Sequence, residues 1–352
     1  MKKSEKKIRV LVVDDSFIMR KFISDILNCD PKIKVIGTAK NGYEAIEKAK
    51  ELNPDVITMD YIMPKIDGAK TTKKILKSSN PKPSIILLSG YTKKNSSAYE
   101  ESMKAGAISC VLKPSGSISL DIKKIKKQLI QEVKNAAKAN VKQIQIVKTK
   151  KVPKKEIVHD TTSKIIVIGA STGGPPLIEK ILNQIPHSLK CSILIVQHMP
   201  ANFITNFAKR LNERCYLEVQ EAKEGEEIKT GKVFIAPGDY HMRLKKDKDK
   251  NFFIHLSKTP AVNGHRPSID ETFISSAYFF KENTTGILLT GMGTDGVKGM
   301  ATIKDLRGHT IAQEPTTCII DSMPKSIIQK GAVDEILTID EIIKHINNNS
   351  DK

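Results

Sequence analysis

The stretch Ile165-Ile166-Val167-Ile168-Gly169-Ala170-Ser171-Thr172-Gly173-Gly174 sets a short apolar run directly before a glycine-rich turn, and an amphipathic pattern follows near Pro176 to Asn183. A strand that feeds a helix through such a turn is the repeating unit of an α/β fold. Turns of this kind either cradle a phosphate or present a serine at a sharp elbow with its hydroxyl at the helix start. The turn has no lysine as a P-loop would, and its spacing does not fit G-x-G-x-x-G. The pattern Gly169-x-Ser171-x-Gly173 therefore favours an exposed nucleophile. Alone the motif is weak, and it needs a base and an orienting acid.

Outward from this turn, the next apolar run, Ser192 to Val196, ends in Gln197-His198-Met199-Pro200. That places an imidazole at the carboxyl end of a neighbouring strand, where a general base for Ser171 should stand. A third run, Gly286 to Leu289, ends in Thr290-Gly291-Met292-Gly293-Thr294-Asp295-Gly296. Its glycines let backbone approach closely and can aim a peptide N–H at a carbonyl oxygen. An Asp before Gly is usually only a turn former, but at a third strand end Asp295 is a candidate to orient His198. The order Ser, His, Asp differs from the Ser, Asp, His order of α/β-hydrolases, so another hydrolase family is required. Further elements are expected at Phe203 to Leu211, Val233 to Ile235, a hairpin from His241 through Phe252 to His255, helices at Ile269 to Phe280 and Gly296 to Leu306, and a strand at Thr310 to Ala312.

Upstream, residues 8 to 116 alternate five short apolar runs with amphipathic stretches, which implies a doubly wound parallel sheet covered on both faces. Asp14 and Asp15 follow the first run, Asp60 ends the third and Lys113 follows the fifth. In open α/β sheets functional groups gather at the carboxyl ends of strands. Any one of these carboxylates is most simply a solvated loop residue. Together they form the set that Mg²⁺-assisted phosphoryl transfer to aspartate needs, with hard oxygen ligands for the metal and a cation for the phosphoryl charge.

The chain of 352 residues exceeds one ordinary core, so two domains with a connector are expected: residues 1–120, a basic helix and linker over 121–163, and residues 164–352. The net charge of +19 is unevenly placed. Residues 1 to 120 carry 22 basic against 13 acidic residues and 121 to 163 carry 12 against 4, whereas 164 to 352 carry 24 against 22. The downstream domain is thus nearly neutral and has no basic stripe with interleaved aromatics, which argues against nucleic acid as a partner. Five widely spaced cysteines without a C-x-x-C pair or a His/Cys cluster suggest reduced thiols and no zinc site. No apolar run approaches the ~18 to 20 residues of a membrane span, and the basic Lys2 to Lys7 segment leads into a first strand rather than a signal peptide. A cytoplasmic location without membrane insertion is expected.

Residues 1 to 120 resemble response-regulator receiver domains through Asp14-Asp15, Met59-Asp60, Met63-Pro64, Asp67-Gly68, Ser89 and Lys113-Pro114. The resemblance implies Asp60 as phospho-acceptor, Asp14 and Asp15 with Asp60 around Mg²⁺, Lys113 at the phosphoryl group and Ser89 as switch hydroxyl. Gly90-Tyr91 follows that hydroxyl and leaves the aromatic switch open. Residues 164 to about 340 resemble the catalytic domain of the chemotaxis protein-glutamate methylesterases through GASTGG at 169–174, QHMP at 197–200, IAPGD at 235–239, HRPS at 265–268 and LTGMGTDG at 289–296. That likeness implies an α/β hydrolase domain with a mostly parallel sheet, Ser171 as nucleophile, His198 as base, Asp295 as orienting acid and the Met292 N–H as oxyanion donor, with no cofactor for the hydrolysis. His265, Arg266 and Asp270 match the family and shape the cleft; His241 and Asp239 read as structural. Implied substrates are glutamate methyl esters and glutamines of methyl-accepting chemotaxis receptors, with a chemotaxis histidine kinase as phosphodonor. The rivals are a DNA-binding response regulator and a receiver-controlled esterase with another substrate.

Overall fold

The computed structural model describes residues 6–89, 96–113, 121–141, 160–249 and 251–349. It divides into two compact units, residues 1–146 and 147–352. In the first unit the elements are β1 Ile8–Val13, α1 Phe17–Asn28, β2 Ile33–Ala39, α2 Gly42–Leu52, β3 Val56–Asp60, α3 Gly68–Ser78, β4 Ser84–Ser89, α4 Ser96–Ala105, β5 Ser109–Leu112 and α5 Asp121–Ala136. The strands form one parallel sheet in the order β2-β1-β3-β4-β5. Val10 to Val13 and Ile85 to Leu87 are completely buried, as strands with helices on both faces must be. Ser16, Asn41 and Asp67 cap α1, α2 and α3 by accepting from the Met19, Glu44 and Lys70 amides. The sheet order reverses between β1 and β3, so the carboxyl ends of these two neighbours open a crevice. The basic helix α5 lays Leu129, Val133 and Ala136, all buried, against β5 and α1. The connector residues 142–159, and Gly90, Tyr91 and Pro114, lie outside the described residues.

The second unit comprises β6 Ile165–Ala170, α6 Gly174–Leu182, β7 Ser192–Gln197, α7 Ala201–Arg214, β8 Glu218–Glu221, β9 Lys232–Ile235, β10 His241–Lys246, β11 Phe252–Ser257, α8 Ile269–Phe280, β12 Thr284–Leu288, α9 Val297–Asp305, β13 His309–Gln313, α10 Ser322–Gln329, β14 Glu335–Leu337 and α11 Ile339–Asn349. Seven strands pair in the order β14-β13-β12-β6-β7-β9-β8, and every one of these pairings is parallel. The β10–β11 hairpin stands apart as an antiparallel pair, with His241 opposite Ser257.

Two apolar layers cover the faces of the large sheet. One is built around Ile178, Phe207 and Ile342, the other around Phe234, Phe273 and Met300. Full burial of a side chain such as Phe273 contributes roughly 1.5–3 kcal/mol. The sequence pattern did not reveal β8 and β14. Both are edge strands of three or four residues, Glu-Val-Gln-Glu and Glu-Ile-Leu, too short and too polar to carry a period. Helices α10 and α11 were also missed, although α11 buries Ile342 and Ile346 four residues apart. Among the described residues no helix is long and apolar enough to cross a membrane.

Candidate active site and phosphorylation site

In the second unit Ala170 pairs with Gln197 across β6 and β7, so Ser171 and His198 leave adjacent parallel strands side by side. The His198 amide donates to the Ala170 carbonyl at 3.0 Å, which extends the ladder to the residue that bears the imidazole. Gly173 caps α6 at φ 83°, a left-handed conformation that closes the strand-to-helix elbow beneath Ser171. Opposite, the loop after β12 lies against the serine: a Cβ on Gly291 would sit 2.7 Å from the Ser171 Cβ and 2.2 Å from the Met323 Sδ. Only glycine allows that approach.

The loop is held from several sides. The Ser171 amide donates to the Thr290 carbonyl at 3.0 Å, and the Gly291 amide to the Ile320 carbonyl at 2.9 Å. The Gly293 amide donates to Ser322 Oγ at 3.2 Å. Among the described residues, the Met292 amide between them forms no hydrogen bond, and the residue is half-buried.

Asp295 is 1% exposed and collects donors from the start of α8. Its Oδ1 accepts from Ser268 Oγ at 2.7 Å and from the Asp270 amide at 3.2 Å, and its Oδ2 from the Ile269 amide at 2.8 Å. Oδ2 also lies 2.8 Å from His198 Nε2. Burial alone would push this carboxyl up, but the hydrogen bonds from His198 and from the donors of α8 together hold it well below the usual carboxylate range. An ionised carboxylate only accepts, so Nε2 carries the proton. The other nitrogen, Nδ1, is buried without a hydrogen-bond partner among the described residues. In the neutral ring that nitrogen keeps its lone pair, on the strand end adjacent to that of Ser171.

His265 stacks flat on His198, with ring centroids 3.8 Å apart and planes 7° apart. Burial pushes the His265 imidazole down to about 4, and the neighbouring His198 adds to this, so the ring is neutral near pH 7. Asp270 Oδ1 accepts from the Gly299 amide at 2.8 Å, and its Oδ2 from Asn263 Nδ2 at 3.0 Å; burial raises its carboxyl. Arg266 donates to the Lys258 and Thr259 carbonyls. His241 is fully buried between the Pro260 carbonyl and the Ser268 amide, which it helps to fix. Sequence reasoning missed Ser268, the Ile269 amide and Asn263 as supports of Asp295. Ser268 with Glu271 three residues later, a helix-start pattern, was the available signal.

In the first unit the carboxylates of Asp14, Asp15 and Asp60 come within 4.8 Å of one another. Asp14 and Asp60 are buried, and Lys113 Nζ lies 2.6 Å from Asp14 Oδ2 and 2.8 Å from Asp60 Oδ2. Burial pushes the Asp60 carboxyl up to about 6; Lys113 pulls against that rise, and Asp14 and Asp15 add to it. Buried carboxylates that crowd together oppose one another's ionisation, and a hard divalent cation relieves the conflict. The donor set therefore fits Mg²⁺. Ser89 is buried at the end of β4.

Residues 166–346 match the CheB methylesterase family, and residues 10–124 match the response regulator receiver domain. A protein-glutamate methylesterase/protein-glutamine glutaminase of Thermotoga maritima is 41% identical over 95% of this chain and 96% of its own length. One from Pyrococcus horikoshii is also 41% identical, over 96% of this chain and 92% of its own. The solved catalytic domain of the Thermotoga maritima CheB methylesterase aligns with a TM-score of 0.52 at 40% identity, covering 53% of this chain and 98% of that domain. These likenesses support the methylesterase reading and not the DNA-binding alternative. With the glycine-rich serine turn, the strand-end histidine and the receiver carboxylates in one chain, the protein belongs to the receiver-regulated CheB methylesterase/glutaminase family.

Proposed function

We propose that this chain hydrolyses glutamate γ-methyl esters on methyl-accepting chemotaxis receptors, with Ser171 as nucleophile, His198 as general base and Asp295 as orienting acid. The observation that carries the proposal is the division of labour on one ring: Nε2 is committed to Asp295 at 2.8 Å and, among the described residues, the buried Nδ1 is left without a hydrogen-bond partner, on the strand end next to the one that carries Ser171. As Ser171 Oγ bonds to the ester carbonyl carbon, its proton passes to Nδ1, and Asp295 stabilises the imidazolium. The Met292 N–H donates to the oxygen that takes up the charge. Collapse expels methanol, which takes the proton from Nδ1. Water then repeats the sequence on the acyl-serine and frees the glutamate. A glutamine side chain enters the same sequence and loses ammonia, which is deamidation.

In the receiver, Asp60 would take a phosphoryl group from a chemotaxis histidine kinase. Asp14, Asp15 and Asp60 would hold Mg²⁺, which neutralises phosphoryl charge when bound. Lys113 adds the second cation, and Ser89 supplies the hydroxyl that reads the modification. Methanol release from methylated receptor membranes tests the hydrolytic reading. Wild type should release it and Ser171→Ala should not; equal release by both would overturn the assignment.

A further inference from the structure

At the amino ends of β13 and β14, the opposite end of the sheet from Ser171, three side chains from separate elements converge. His309 opens β13, Glu335 opens β14 and His345 lies on α11. His309 Nε2 lies 2.6 Å from Glu335 Oε1, and His345 Nδ1 lies 3.3 Å from that same oxygen. All three candidate ligand atoms fall within 4.8 Å of one another. The imidazoles stand face to face, with centroids 5.0 Å apart and planes 6° apart.

We propose that His309, Glu335 and His345 form a site for a divalent transition metal, of which Zn²⁺ is the natural probe, on the non-catalytic end of the methylesterase domain. Two imidazoles and one carboxylate are a borderline-soft donor set that suits Zn²⁺ and its neighbours rather than Mg²⁺ or Ca²⁺. Bonds of about 2.0–2.2 Å to a tetrahedral ion put ligand atoms roughly 3.4 Å apart. The His345–Glu335 separation of 3.3 Å is already close to that spacing, and the His309–Glu335 separation of 2.6 Å would have to open by under an ångström, which two partly exposed side chains allow.

The surroundings fit the same reading. Asp334 Oδ2 stands 3.9 Å from the far nitrogen of His309, the place of the outer carboxylate that orients many metal-bound histidines. Asp334 is itself locked: it accepts from the Thr310 amide at 2.8 Å and from Thr310 Oγ1 at 2.7 Å, and Lys304 Nζ holds its Oδ1 at 2.9 Å. The residues beside His309 and Glu335 are therefore tied together, and both ligands stand on fixed strand starts. His309 and His345 also line a cavity of about 460 Å³ with Lys164, Cys191 and Glu282, which gives water or a small ligand room beside the two imidazoles. Two ligands at the starts of β13 and β14 and one on α11 would clamp the last helix to the sheet. As plain surface ion pairs the same contacts would contribute little.

The test uses the full chain, stripped with a chelator and kept in excess Mg²⁺ so that the receiver carboxylates are engaged. Zn²⁺ uptake is counted by equilibrium dialysis, and Co²⁺ is added separately as a spectroscopic probe. Wild type should retain one equivalent of zinc more than His345→Ala or Glu335→Gln, with affinity at that site falling by more than ~10²-fold in the variants. The visible bands of four-coordinate Co²⁺ should appear in wild type and vanish in both variants. Unchanged methylesterase rates show that the variants remain folded, because the trio lies away from the catalytic strand ends. Equal zinc stoichiometry and equal Co²⁺ spectra in wild type and both variants would overturn the proposal.

Discussion

Asp295→Asn probes the centre of the proposed mechanism, because the carboxylate meets donors on both oxygens and the amide cannot. If the amide oxygen takes the Oδ2 position, it still accepts from the Ile269 amide and from His198 Nε2. The NH₂ then faces Ser268 Oγ, which can turn to accept, and the Asp270 amide, which cannot. In the other orientation the NH₂ confronts the Ile269 amide and forces the His198 proton onto Nδ1, which abolishes the base. The first orientation leaves one unmatched buried N–H contact, worth about 1–3 kcal/mol of stability. It also removes the negative charge that stabilises the imidazolium. A comparable change at the acid of a serine protease lowers kcat by ~10⁴, and a fall of about 10²–10⁴ in kcat with little change in KM is expected here. The assay is methanol release under saturating methylated receptor, with urea unfolding run in parallel to separate lost stability from lost rate. A folded variant with wild-type kcat would refute the role given to Asp295, and Asp270 would be the next carboxylate to test.

Ser171→Ala and His198→Ala should each leave a folded protein with kcat reduced by at least ~10³ in the same assay; near-normal turnover in either would remove that residue from the mechanism. Asp60→Ala should take no label from a small-molecule phosphodonor in the presence of Mg²⁺, whereas wild type should; label that persists in the variant would place the acceptor elsewhere. His265 is neutral when folded, with its imidazole pushed down to about 4, while in the unfolded chain it titrates near 6.5. The unfolded state therefore binds the extra proton first, and stability present above pH ~6.5 is lost as the pH falls toward 4. That loss amounts to roughly 3 kcal/mol for this group. His265→Phe should flatten the urea-stability profile across that window, and a slope identical to wild type would show that burial of His265 does not govern its titration.

Both strand-end constellations were legible in the sequence because a parallel sheet converts chain position into space. Once Ile165 to Ala170 and Ser192 to Gln197 are strands, Ser171 and His198 must leave the same edge, and the same logic joins Asp14, Asp60 and Lys113. The local period of apolar residues and the placement of glycines carry that information. Tertiary structure alone decided which nitrogen of His198 faces the acid, because that follows from where the amino end of α8 points its amides at Asp295. The stacking of His265 on His198 was equally hidden: the residues are far apart in the chain, and a lone histidine in a loop has no period to betray its partner. The short edge strand β14 and helix α11 escaped the pattern, and with them the meeting of His309, Glu335 and His345. Sequence determines what each strand end carries; long-range packing determines which atoms of those side chains meet, because distance, tautomer and burial are properties of the assembled sheet and not of any local segment.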